Sequence, residues 1–181
     1  MDTKFDASHL DVRAFARAQG LAQGEAALQD WIRLREESAQ ASRNSLQVRW
    51  QLQGRLQART GSDDEVWVHV QAHAEVEMTC QRCMTPVVLP LQVDRDILFV
   101  ADEATAAELD DALDDDVLVL SKDFDALALI EDELIMALPL VPRHEVCPEG
   151  LPIQSVGEED LPEPVHPFAA LAALKDSKPR K

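Results

Sequence analysis

The sequence predicts an α+β fold: an antiparallel β-sheet of three or more long strands, laid out as a meander or a barrel-like sheet, with flanking helices and a mobile acidic C-terminal tail. Three consecutive runs alternate apolar and polar residues with short connections between them, the period of strands with one wet face. A stripe of helical period follows the runs, from Leu127 to Leu138. The acid collects behind them. Of a formal net charge of −17, residues 1–60 carry nine Lys and Arg against seven Asp and Glu, whereas residues 61–181 carry eight against twenty-seven. At 181 residues and 46% hydrophobic, the chain suits one domain with added segments rather than two domains. The divisions we expect are an N-terminal helical segment over 1–44, a sheet-and-helix core over 45–149, and an acidic, proline-rich linker with a short helix over 150–181.

In chain order, Leu10 to Arg17 reads as a short helix, Gly20 and Gly24 as a break, and Glu25 to Glu37 as a second amphipathic helix around Leu28, Ile32 and Leu34. Residues 46, 48, 50 and 52 are Leu, Val, Trp and Leu with polar residues between, which predicts a half-buried strand. After the turn signal Gly61-Ser-Asp-Asp64, every even position from Val66 to Met78 is apolar, a long strand ending at Cys80. The third run uses Val87, Leu89, Leu91, Val93, Ile97 and Phe99, with Pro86 and Pro90 setting its start at a turn or sheet edge. Residues 101–116 contain eight acidic residues and no Lys or Arg, the composition of a solvated, mobile block. Val117 to Leu120 predicts a short strand. Asp125 suits the N-cap of a helix running to about Leu138, which Pro139 and Pro142 then end. Beyond Gly150 the chain is rich in Pro and acid until Pro167, which suits the first turn of a brief helix carrying Phe168, Leu171 and Leu174 on one side and reaching Lys175. A helix that short is marginal alone, so its apolar face needs a partner groove or the sheet.

No uninterrupted apolar run is long enough to span a bilayer, and the N-terminus lacks the basic-then-apolar order of a secretory signal, which predicts a soluble protein. Three cysteines, two of them in Cys80-Gln-Arg-Cys83, fit a reducing cytoplasm better than a disulfide framework. The six glycines never cluster as a phosphate-binding loop requires, and no serine sits in a nucleophile elbow. No catalytic residue is assigned. The negative charge disfavours direct RNA contact, because such affinity comes largely from Lys and Arg on phosphates.

The best-formed constellation is Cys80-x-x-Cys83 with His144-x-x-Cys147. Two short-spaced pairs at the ends of elements supply four ligands of the kind that wrap a tetrahedral zinc ion. Against a metal stand the sixty-odd intervening residues and the cation of Arg82; the plainer reading is two reduced thiols at a strand end and an unrelated His and Cys in a loop. A thioredoxin-like redox pair would open a helix, and this pair lies between strands. His69 and His73 share the polar face of their strand with Trp67, which reads as a solvated face. In the acidic triplet Glu131-Asp132-Glu133, helical spacing puts Glu131 on the apolar stripe, where a carboxylate needs a basic partner or a covering protein.

The order of these features resembles the YceD family over roughly residues 45–175: a long alternating strand entering Cys80-Gln-Arg-Cys83, an acidic insert, Ile130-Glu-Asp-Glu-Leu-Ile-Met-Ala-Leu-Pro139 leading to His144 and Cys147, then His166-Pro-Phe-x-x-Leu-x-x-Leu-Lys175. The resemblance implies a cytoplasmic, non-enzymatic factor for the synthesis, processing or stability of large-subunit (23S) ribosomal RNA. Its implied partners are ribosome assembly or rRNA-processing proteins, not a membrane, with the triplet Glu131, Asp132 and Glu133 and the segment Pro167, Phe168, Leu171, Leu174 and Lys175 as partner contacts. Some relatives carry a second Cys-x-x-Cys after the helix, where this chain has His144 and Cys147. The alternative is a zinc-stabilised RNA- or protein-binding module of other function, with Arg33, Arg35, Arg43, Arg49, Arg55 and Arg59 as its basic contacts.

Overall fold

Alternation alone fixes one face of each long strand to the core, and the computed structural model, which describes residues 5–38, 46–59, 61, 63–110, 112–113 and 115–148, shows the sheet this produces. Its elements are α1 (Val12–Arg17), β1 (Leu21–Ala27), α2 (Ile32–Glu37), β2 (Gln47–Gln57), β3 (Glu65–Thr79), β4 (Pro86–Val100), α3 (Glu103–Asp110), β5 (Asp116–Val119) and α4 (Ala126–Met136). The five strands lie in the order β1-β2-β3-β4-β5. The first four form an antiparallel meander, with Val48 opposite Ala74 and Ala72 opposite Val93.

The last pairing differs from the expectation of a purely antiparallel sheet. β5 runs parallel to β4, Ile97 opposite Asp116, so the sheet is mixed. The cause lies in the acidic block. Instead of a mobile stretch, its residues Glu103–Asp110 fold as α3, and a helix inserted between two strands returns the chain to the end it left, which makes the strands parallel. Asp102 starts this helix by accepting from the Thr105 backbone N–H and hydroxyl, both at 3.0 Å. Ala106 then packs on Trp67, Leu98 and Val117, covering one end of the otherwise polar sheet face.

On the inner face Val48, Leu52, Val70, Val76 and Ile97 are sealed from solvent under Phe15 of α1, Leu34 of α2, and Ile130 and Leu134 of α4. Asp125 caps α4 as expected, accepting from the Ala128 N–H at 2.9 Å. The helix expected over Glu25–Glu37 is replaced by β1, a 3-10 turn at Leu28–Asp30 and the short α2. Small residues make room for that strand: a Cβ on Gly24 would stand 2.6 Å from the Trp50 ring. At Gly54 the added carbon would meet the Ala16 backbone at 2.8 Å, so α1 rests directly on β2. No helix among the described residues is long and apolar enough to cross a membrane. The expected linker and short helix over 150–181, with Pro167, Phe168, Leu171, Leu174 and Lys175, lie outside the described residues, as does Arg43.

Candidate metal centre

The turn that closes β3 onto β4 sets the first half of the site. The Cys80 N–H bonds the Thr85 carbonyl and the Met84 N–H the Cys80 carbonyl, each at 2.9 Å, and Met84 takes a positive φ of 59° to complete the bend. This tight turn brings Cys80 and Cys83 to one side. The second half comes from the irregular segment after α4, which docks when the Gln81 N–H donates to the Pro142 carbonyl at 2.8 Å. The ligand atoms of Cys80, Cys83, His144 and Cys147 thereby converge within 4.8 Å of one another.

The spacing matches a tetrahedral ion. Bonds of about 2.3 Å to sulfur and 2.0 Å to nitrogen place two sulfurs about 3.8 Å apart and a sulfur and nitrogen about 3.5 Å apart. The structure has Cys80 Sγ 3.9 Å from Cys147 Sγ, and Cys83 Sγ 3.4 Å from His144 Nδ1. The His144 Nε2–H donates to the Pro86 carbonyl at 3.0 Å, which leaves Nδ1 with the lone pair that a metal ligand needs.

The protonation equilibria of the four groups divide: without an ion, Cys80 and Cys83 are shifted toward the thiolate that binds metal, whereas Cys147 and His144 are shifted toward the protonated form that a metal would have to displace. Burial opposes ionisation of Cys80, but N–H groups of Cys83, His144 and Arg82 outweigh it, and the thiol pKa falls to about 5. The Thr85 hydroxyl and N–H lower Cys83 as well. Cys147 lies above the usual thiol range: Arg82 favours its thiolate, yet burial and hydrogen bonds with Cys83 and Cys80 prevail. Hydrogen bonding to Cys80 raises His144. Arg82, which counted against a metal in the sequence, donates its Nε–H to Cys147 Sγ at 3.0 Å. Three thiolates around a divalent ion leave one excess negative charge, and this guanidinium offsets it. With four protein ligands and no open position, the geometry suits a structural ion rather than a catalytic one. The supporting roles of Arg82, Thr85 and Pro86 were not assigned from sequence; only the position of Arg82 inside the Cys-x-x-Cys pair signalled them.

The acidic triplet is divided by the fold. Glu131 accepts from the Arg33 and Leu34 backbone N–H groups at 2.8 and 3.1 Å and from Arg33 Nε at 3.1 Å. Asp132 also pairs with Arg33 and stays half exposed. Glu133 is buried against Arg95, 3.2 Å away, a residue whose inward place on β4 breaks the apolar run between Val93 and Ile97. Burial raises the Glu133 pKa despite Arg95, with Asp116 and Asp132 adding to the rise. His69 lies between Asp96 at 3.0 Å and Asp94 at 3.4 Å, and His73 is exposed on the same face. Arg55 stacks over Trp67 and bonds Asp96; Arg59 bonds Glu65.

Comparison with known proteins agrees with the resemblance in the sequence. A family model described as large ribosomal RNA subunit accumulation protein YceD matches residues 68–175. A Haemophilus influenzae protein named large ribosomal RNA subunit accumulation protein YceD is 35% identical over 105 residues, 56% of this chain and 60% of the relative. The match thus spans less than two thirds of that relative's length. No solved structure matches the chain.

Proposed function

Because the chain belongs to the YceD family of large ribosomal RNA subunit accumulation proteins, we propose that it is a cytoplasmic, non-enzymatic accessory factor for the synthesis, processing or stability of large-subunit (23S) ribosomal RNA. It acts mainly through protein contacts with ribosome assembly or rRNA-processing proteins. The family match over residues 68–175, which holds all four candidate ligands, is the observation that carries this reading.

Protein contact is favoured over RNA contact by what the structure does with the arginines. Arg33 is held by Glu131 and Asp132, Arg55 by Asp96 and Trp67, and Arg59 by Glu65, so these cations are already neutralised. A formal charge of −17 opposes phosphate further. In this reading the Cys80, Cys83, His144 and Cys147 cluster holds zinc as a clip that ties the chain after α4 to the β3–β4 turn. Asp132, as the exposed acid of its triplet, and the segment with Phe168 and Leu171 meet the partner.

The test is a pull-down of tagged protein from cells of its own source, read by mass spectrometry, alongside 23S RNA levels in cells lacking the gene. The reading expects ribosomal precursors or their binding proteins in the capture, reduced 23S RNA without the gene, and weaker capture with Phe168→Ala and Leu171→Ala together. Capture of no such protein, with 23S RNA unchanged in the deletion, overturns it. Tight binding of purified protein to RNA with a steep salt dependence would replace the protein-contact mode with direct RNA binding.

A further inference from the structure

β4 offers an incomplete edge. It pairs with β3 from Pro86 to Phe99, but on its other side β5 covers only Ile97 to Val100. Backbone N–H and C=O groups alternate sides along a strand. The Pro86 carbonyl accepts from His144 and the Val100 carbonyl from the Leu120 N–H, so the even-numbered residues face away from β3. Pro90 has no N–H to offer and blunts the edge at its middle. Between Pro90 and the start of β5, the N–H and C=O of Gln92 and Asp94 point outward, and among the described residues no strand pairs with them.

Beside this stretch lies a groove of about 690 Å³, lined among others by Asp94, Asp96, Asp115, Asp116 and Glu133. The guanidinium in its lining, Arg95, is taken by Glu133 at 3.2 Å and Asp116 at 3.5 Å. Asp96 is also paired with Arg55 at 3.2 Å, so five carboxylates stand against two guanidinium groups and the groove keeps a negative excess. A second copy of this chain, itself at −17, is repelled from such an edge, and so is a nucleic acid. A basic strand is attracted, with its amides completing the ladder and its side chains meeting the carboxylates.

We infer that the open edge of β4 at Gln92 and Asp94 is a docking site for a basic, extended polypeptide segment, which adds to the sheet in the space ahead of β5. Pro90 on one side and Asp116 on the other limit the insert to about four to six residues at roughly 3.3 Å each. The inference rests on this edge and its charge, not on the ribosomal role. A chain whose loss leaves 23S RNA unchanged could still bind the peptide, and the reverse, so the two fail separately.

The experiment uses the full-length protein and a labelled synthetic peptide of alternating Lys and Val, followed by fluorescence anisotropy and amide hydrogen exchange. A Glu-Val peptide serves as the charge control. Two further Lys-Val peptides carry N-methyl groups on every second amide, one for each side of the strand. We expect the Lys-Val peptide to bind, the Glu-Val peptide not to, and the amides of Gln92 and Asp94 to gain protection. One methylation pattern should weaken binding about tenfold or more, because it removes the ladder hydrogen bonds, and the other should leave it nearly intact. Asp94→Asn should weaken binding and steepen nothing in its salt dependence, since an attractive charge is gone. No binding of the Lys-Val peptide, or an equal effect of both methylation patterns, overturns the proposal.

Discussion

The Glu131 carboxylate caps a helix it does not belong to: one oxygen accepts from the Arg33 backbone N–H at 2.8 Å while the other meets Arg33 Nε at 3.1 Å. The first oxygen also takes the Leu34 N–H, and Trp31, at the N-cap of α2, supplies no side-chain cap of its own. A carboxylate on the apolar stripe of α4 therefore finishes α2 and locks the two helices together over the core.

That arrangement predicts a graded mutational response. Glu131→Ala removes three hydrogen bonds and leaves the Arg33 guanidinium half paired, and should cost about 2–4 kcal/mol. Glu131→Gln retains an acceptor for the backbone donors and should cost less. Asp132→Ala, at a half-exposed ion pair, should stay within about 1 kcal/mol. Urea denaturation of the three variants ranks them; equal effects at 131 and 132 would remove the capping role.

Gly54 tests the contact between α1 and β2. An added Cβ would stand 2.7 Å from the Phe15 ring and 2.8–2.9 Å from the Ala16 backbone, which cannot swing aside as a side chain does. Gly54→Ala should therefore destabilise by about 1–3 kcal/mol, although alanine ordinarily suits a strand better than glycine. A variant as stable as the parent in thermal unfolding would mean that α1 sits further from the sheet.

The long strands were legible because alternation over Val66–Val76 encodes a buried face directly, and the convergence of Cys80, Cys83, His144 and Cys147 was legible because these four side chains fell at the ends of legible elements. β1 was not. Its inner positions, Ala22, Gly24 and Ala26, are small, with Gly24 set against the Trp50 ring, so they carry no hydrophobic period; the stretch reads as a glycine break up to Gly24 and as helix from Glu25. α3 was hidden by charge, since eight acids in sixteen residues masked the helix-forming Ala104, Ala106, Ala107 and Leu109. The parallel pairing of β5 followed from that same helix. The neighbour of Glu131 was left open in the sequence between a basic residue and a covering protein, and only tertiary structure could name Arg33.

Glu133 sets a pH dependence. Its carboxyl is only 4% exposed, and burial raises its folded pKa above the ordinary glutamate value. An acid that holds its proton more tightly when folded costs stability once ionised, so the cost is absent below the unfolded value near 4.5 and grows as pH rises through the raised folded value. Glu133→Gln, which keeps the shape and cannot ionise, should match the parent near pH 4 and become more stable than it toward pH 7. Thermal melts across that range check the crossing. A variant that loses ground as pH rises would show that pairing with Arg95 outweighs burial.

The metal site yields the most demanding prediction, because geometry, protonation and stoichiometry must agree. Protein purified without chelator should carry about one zinc per chain, as expected of a closed four-ligand site. Ligand loss should then appear twice, in metal content and in stability. Cys83→Ser should abolish zinc and, like chelation of the parent, lower stability by about 3–4 kcal/mol if the ion is present at a hundred to a thousand times its dissociation constant. Arg82→Ala separates this from simple misfolding. Arg82 touches Cys147 at 3.0 Å without being a ligand, so its loss should leave the fold and the stoichiometry intact while weakening zinc affinity about 10- to 100-fold in a competitive chelator titration. Parent protein free of zinc and indifferent to chelator would return the four residues to reduced thiols and a loop histidine that meet without a metal.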